Sequence, residues 1–339
     1  TELGQLRHRY LQRQLEALRV RVHMLDGEAL SFDDESAALY DAVAPSHQES
    51  YFQQTLAKLE QALPGDGALT DRYAAFRDDF IIEPDRLTHV FDTAIAECRR
   101  RTVAHIELPA SERFTVEYVT DKSWSGYNWY QGDFRSLIQV NTDLPIYIDR
   151  AIDLACHEGY PGHHVYNVLL ERHLVREQGW PEFSVYALFS PQSLIAEGTA
   201  NHGIDVAFPA KQRLTFEQTV LFPAAGLAAS RAAQYYGVQS LVAQLDYAGN
   251  EAARRYLNGQ FDRGDAARWL TRYALMTPDR AQQRVRFFDQ YRSYVINYNL
   301  GEDLVAAFID AQSRGMAANR WNVFAKLLAS PRLPSGLRD

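Results

Sequence analysis

One stretch constrains this chain more than any other: Cys156-His157-Glu158-Gly159-Tyr160-Pro161-Gly162-His163-His164. It lies inside a long apolar-periodic segment, from Ile146 to about Val175, that reads as helix yet cannot be one unbroken helix. Pro161 falls four residues after His157, has no N–H to give the His157 carbonyl, and crowds that carbonyl with its ring, so the helix must kink or widen there. Gly162 then supplies the backbone freedom to restart it. Three of the ten histidines fall within the eight residues from His157 to His164, with a carboxylate directly beside the first. Two histidines one turn apart on a helix can chelate a single metal ion, while a Glu between them, rotated ~100° around the axis, reaches the water on that ion. The stretch reads as this arrangement with an inserted bulge. A buried helix whose histidines bond one another is the plainer alternative, and the clustering of three histidines and a glutamate argues against it.

Which histidine joins His157 depends on the bulge. In an unbroken helix position 164 would lie nearly in line with His157 but ~10.5 Å further along, and position 163 would point ~120° away, whereas a chelating pair four residues apart spans only ~6 Å. Absorbing two residues at Pro161-Gly162 selects His163; absorbing three selects His164. Both stay in the candidate ligand set, with His163 preferred and His164 otherwise turned toward the substrate or an outer shell.

The His-Glu-x-x-Pro-Gly-His-His signature resembles that of a large, mostly bacterial family of unknown function, itself similar to gluzincin-type zinc metallopeptidases. Other stretches resemble the family too: Leu15 through Glu28, Leu30-Ser31-Phe32-Asp33, the step Ala196-Glu197-Gly198, and Tyr298-Asn299-Leu300-Gly301. The resemblance covers most of the chain. It departs where the family runs Trp-Ala-x-Tyr after Glu-Gly and this chain has Thr199-Ala200-Asn201-His202, and where Asn299 replaces a lysine. These departures leave the proposed ligands intact and bear on specificity.

A chain of 339 residues with 46% apolar residues can bury one large core or two ordinary ones. Its net charge of −8 argues against nucleic acid as a partner, since the one basic run, Arg99-Arg100-Arg101, is what a solvated helix end looks like. Cys98 and Cys156 are too few for a disulfide framework and point to a reducing compartment, hence a cytoplasmic location. No apolar run approaches the roughly 18 to 20 residues of a membrane span, and the first residues show no signal-peptide core, although the chain begins at Thr1.

Along the chain, Leu11, Leu15, Leu18, Val22 and Leu25 recur at helical spacing and predict a packed helix ended by Asp26-Gly27. Further helices are expected over Tyr51 to Leu63 and about Asp85 to Arg101, so residues 1–106 read as a helical scaffold. Between 107 and 145 the texture becomes short, β-branched and aromatic: Phe114 to Val119, Tyr127 to Tyr130, and Ser136 to Val140 predict a small antiparallel sheet of about three strands. The segment from 146 onward is expected to hold the metal helix, running to Gln178, a second helix from about Gln192, and a helical remainder. The fold expectation is one mainly α body of two packed subregions, with a small antiparallel sheet over a metal-binding helix as in gluzincins.

A catalytic zinc takes three protein ligands and leaves a position for water. His157 and one of His163 and His164 supply two. Glu197, opening the next helix in an apolar context and matching the family's Glu-Gly step, is the candidate third, although a helix-start carboxylate needs no metal to explain it. Glu158 is then the general base. Tyr298, on the stretch resembling the family's Tyr step, is the candidate donor to the oxyanion. Arg292 is a candidate for a substrate carboxylate, and Asn201 and Asp205, one and two turns past Glu197, are candidates for orienting the histidines. The resemblance further implies that an edge strand near Leu137 to Asn141 pairs with an extended peptide, which makes Asn141 a substrate-binding candidate. The expectation is a Zn2+-dependent hydrolase cutting an amide bond of a peptide or peptide-like molecule. The alternatives are a non-catalytic helical metal-binding or structural protein, or a hydrolase of a non-peptide amide or ester.

Overall fold

The computed structural model describes residues 1–209 and 211–338. Helix accounts for 68% of the chain and strand for 7%, so the protein is mainly α. Among the described residues no helix is long and apolar enough to cross a membrane. The first hundred residues form helices at Glu2–Leu25, Phe32–Tyr40, Glu49–Ala62, Leu69–Asp78 and Pro84–Val103. Local chemistry sets several of their starts. The hydroxyls of Thr1 and Ser31 accept from the N–H groups of Gly4 and Asp34, and Pro84 takes the first helical position, where its missing N–H costs nothing.

The first helix does not pack by the predicted stripe. Leu15, Leu18, Val22 and Leu25 are exposed, and the buried face is Leu6, Tyr10, Gln14 and Ala17. Both stripes have helical spacing, so periodicity could not choose between them. The choice is made by distant partners: Tyr10 donates to Gln192 at 2.8 Å and packs on Phe183, and Arg7 pairs with Glu182 at 2.5 Å.

The sheet has three strands, β1 (Arg113–Val119), β2 (Gly126–Gly132) and β3 (Arg135–Asn141), in the spatial order β1-β3-β2. It is mixed rather than antiparallel: β2 and β3 form a hairpin, while β1 runs parallel to β3. The hairpin turn is Asp133-Phe134, with φ of 52° and 59°, the doubly left-handed geometry that matches the twist of paired strands. β3 therefore takes the centre and buries Ser136, Ile138 and Val140. Strand addition at Leu137 to Asn141 is closed off, because both edges of β3 are already paired. Asn141 serves the loop beside it, donating to the carbonyls of Lys122 and Trp124 at 3.0 and 2.9 Å and accepting from the Asp143 N–H at 2.9 Å.

Two apolar cores lie side by side. One gathers Val90, Phe91, Ile138, Ile152, Tyr166, Phe222 and Phe324; the other gathers Phe32, Leu39, Phe52, Leu270, Phe288 and Ile296. The first 106 residues contribute to both. The Pro191–Ala207 helix runs between the cores, with Leu194 in one and Ile195 and Ala196 in the other, and 14 of its 17 residues are buried. It crosses the Ile296–Ser313 helix at Gly198, where a Cβ would lie 2.3 Å from the Gly301 carbonyl oxygen. Only glycine permits that backbone contact, and the contact brings the Tyr294 to Tyr298 segment against Glu197.

Candidate metal centre

The predicted break occurs, and more sharply than a kink. An α-helix at Asp149–Leu154 widens into a π turn over Ala155–Gly159, leaves helical geometry at Tyr160, and resumes at His163–Leu170 before widening again over Glu171–Glu177. Wide turns accommodate the residues that Pro161 would otherwise force into a clash. Gly162 makes the closest approach: a Cβ there would lie 1.9 Å from the His157 carbonyl oxygen, and its N–H donates to the Cys156 carbonyl at 2.9 Å. The restarted helix is thus held directly against the end of the first.

This geometry brings His163 to His157, with their Nε2 atoms 3.1 Å apart. Glu197 Oε2 lies 3.2 Å from His157 Nε2 and 3.6 Å from His163 Nε2. Glu158 joins the group, since His157, Glu158 and His163 each place a potential ligand atom within 4.8 Å of the others. Glu158 Oε2 and Glu197 Oε2 are both buried with no hydrogen-bond partner among the described residues. Two imidazole nitrogens and Glu197 Oε2 thus converge, with the Glu158 carboxylate within reach of both histidines.

Surrounding groups fix their orientation. Asn201 accepts from His157 Nδ1–H at 2.8 Å and donates to the Tyr298 carbonyl at 3.1 Å, which turns the Nε2 atom of His157 to the cluster. Tyr294 donates to Glu197 Oε1 at 2.7 Å, leaving Oε2 free. Burial opposes charge at both acid and base, yet the groups support each other. Glu197 and Glu158 hold His157 up at about 9, while His163 and His157 hold Glu197 well below the ordinary carboxylate range. His157, His163 and Glu197 would hold a metal ion here, with His157 binding in its neutral form. The donor set, two imidazoles and a carboxylate with a second carboxylate alongside, fits zinc with an open position.

His164 is not in this cluster. One residue on along a helix points ~100° away, and His164 is fully buried on the opposite side, with Ser136 Oγ 2.8 Å from Nδ1 and Glu112 Oε2 3.0 Å from Nε2. Glu112 also accepts from Tyr160 at 2.6 Å and Arg99 at 2.6 Å; burial opposes its charge, but these donors together hold it at about 2. His164 therefore ties the metal helix to the sheet and to the Pro84–Val103 helix. Arg292 is likewise committed elsewhere. Its Nε donates to the buried Glu35 at 2.7 Å across 257 residues of chain, a pairing no local pattern announces. Asp205 lines the cavity beside the cluster and makes no hydrogen bond to a cluster histidine among the described residues.

The cluster opens into a cavity of about 670 Å³ whose walls include Gly126 to Tyr130 of β2, Asn167, Tyr298 and the Pro278–Tyr291 helix. Tyr298 lines it, and its hydroxyl has no hydrogen-bond partner among the described residues. Burial and then the charge of Glu197 push its pKa well up, so the phenol stays a protonated donor. The sequence did not single out Tyr294. It stands one helical turn before Tyr298, but nothing distinguishes it among nineteen tyrosines.

No protein-family model matches the chain, and no curated protein does. Among solved structures it is similar to that described as "the putative lipoprotein from Colwellia psychrerythraea", with a TM-score of 0.62 and 12% sequence identity. The match covers 90% of this chain and 53% of the other, so the chain spans about half the length of that protein. At this identity the likeness is one of fold alone.

Proposed function

We propose that this chain is a zinc-dependent hydrolase cleaving an amide bond in a peptide or peptide-like substrate. The observation that carries the reading is the convergence of His157 Nε2, His163 Nε2 and Glu197 Oε2, with the unpartnered carboxylate of Glu158 beside them at a cavity wall. The resemblance of the His-Glu-x-x-Pro-Gly-His-His signature to gluzincin-type sites supports the same reading. His157, His163 and Glu197 would hold the ion, which supplies a polarising charge and an acidified water. Glu158 accepts a proton from the attacking water at Oε2 and passes it to the departing nitrogen. Asn201 and Tyr294 keep His157 and Glu197 aimed while this happens. Tyr298 donates its hydroxyl hydrogen to the oxygen on which negative charge develops. The aromatic residues of β2, Tyr127 and Trp129, flank the cavity.

Elemental analysis after dialysis, followed by a panel of short peptides, tests the proposal. The expected result is about one zinc per chain and zinc-dependent cleavage of at least one peptide class. A chain that neither carries nor takes up zinc overturns it. Tyr298→Phe is expected to lower kcat by roughly 10²–10³-fold with little change in KM, the loss typical of one oxyanion donor. Unchanged kinetics would make Tyr298 a packing residue.

A further inference from the structure

The cavity has a second charged region besides the metal cluster. Four arginines line it, Arg150, Arg213, Arg280 and Arg284. Two are neutralised: Arg150 pairs with Asp153 at 3.3 Å, and Arg213 with Asp153 at 2.7 Å and Glu217 at 2.9 Å. The other two are not. Arg280 and Arg284 stand four residues apart on the Pro278–Tyr291 helix and so project from one face. Among the described residues neither forms an ion pair. Arg280 has only neutral partners, the Gln283 side-chain oxygen and Ser125 Oγ at 3.1 Å. Arg284 makes no hydrogen bond there at all, and its Nε is buried and unpartnered.

An unpaired charge in such a place is costly, and a guanidinium cannot escape the cost by losing its proton. A carboxyl nearby can. Burial pushes Glu302 up to about 8, so it can stand protonated near neutrality, whereas Asp246 is exposed to solvent. Asp246 acts on Arg284 electrostatically but lies outside ion-pair distance. Both arginines are half-buried and line the cavity. Two forked donors on one helix face, lacking an anion inside a cavity, match the geometry of a bound carboxylate.

We infer that Arg280 and Arg284 form the binding site for a substrate carboxylate on the wall of the cavity that the metal cluster also lines. Tyr298 lies between the two groups. Its ring centroid is 5.8 Å from the Arg284 guanidinium, and its phenol feels the charges of both Glu197 and Glu158. Phe287, whose ring centroid is 4.6 Å from Arg284, packs against that guanidinium and holds it in place. The carboxylate comes either from the free C-terminus of a short peptide or from an acidic side chain. As a statement about the substrate this rests on the hydrolase reading, but binding by the arginines can be measured without it.

Calorimetric titration of the metal-free, chelator-treated chain decides the matter, with N-acetyl-phenylalanine, its amide, and N-acetyl-glutamic acid α-amide as probes. The acid is expected to bind at least ~10-fold more tightly than its amide, the margin of a hydrogen bond to a charged group. Arg280→Gln and Arg284→Gln should each remove most of that preference without lowering Tm, since each deletes an unpaired charge. A preference shown only by the glutamate probe assigns the site to an acidic side chain. Equal binding of all three probes, a preference surviving in both variants, or no binding of any probe at ~10 mM overturns the inference. Preference for the acid in a chain that cleaves no peptide when loaded with zinc would leave the carboxylate site standing and remove the hydrolase reading. Cleavage indifferent to C-terminal amidation, together with equal binding, would do the reverse.

Discussion

Glu158→Gln is expected to leave zinc binding intact and to lower peptide turnover by ~10²–10⁴-fold, the range of a positioned acid–base group. The substitution keeps the side chain's shape and its place on the wide turn Ala155–Gly159. It removes the lone pair that takes a proton and puts an N–H₂ in its place. Glu158 suits the role because its backbone is pinned while one carboxylate oxygen is not. Asn128 Nδ2 donates to the Glu158 carbonyl at 2.7 Å, tying this turn to β2, whereas Oε2 is buried and unpartnered beside the histidines. Measuring zinc content and kcat on the same preparation checks the prediction. Near-normal turnover would place proton transfer on another group.

The second large effect separates adjacent histidines. His163→Ala is expected to weaken zinc binding by more than the ~10–100-fold typical of an outer-shell change, with little loss of folding stability, because His163 lines the cavity and its imidazole partners belong to the cluster. His164→Ala should do the opposite. It removes a fully buried ring that bridges Ser136 and Glu112, exposing each to the ~1–3 kcal/mol cost of a buried group left short of a partner, while zinc affinity changes by less than ~10-fold. Competition with a chromophoric chelator and a denaturant midpoint, taken on both variants, give a crossed pattern if this is right. A larger affinity loss for His164→Ala would mean that the bulge sets the other histidine on the metal.

Much of this protein is legible in its local sequence because the determining interactions are local. Helices bounded by Pro or Gly and carrying helical apolar spacing, such as Pro84–Val103 and Glu49–Ala62, are recognisable from a window of a dozen residues. The candidate metal centre is legible for the same reason. Three of its four residues lie within seven positions, and Pro161 announces that the helix between them cannot be regular. Glu197 could be picked out by chemistry and resemblance, although its distance from the cluster could not.

Only the tertiary structure decided the rest, because there the competing local patterns are equivalent and a distant partner breaks the tie. The amphipathic first helix offers two stripes, and Tyr10 meeting Gln192 selects the one that is buried. A hydrophobic strand can be central or at an edge, and the Asp133-Phe134 hairpin together with the parallel pairing of β1 puts β3 in the middle. A bulge can absorb two residues or three, and Gly162 against the His157 carbonyl, with Glu112 waiting for His164, sets His163 toward the cluster. The arginines show the same limit most plainly. Arg292, Arg280 and Arg284 look alike in sequence, but Glu35 claims the first, and among the described residues no carboxylate claims the other two. Whether a charge is paired depends on what folding brings within ~4 Å of it, and spacing along the chain carries no record of that.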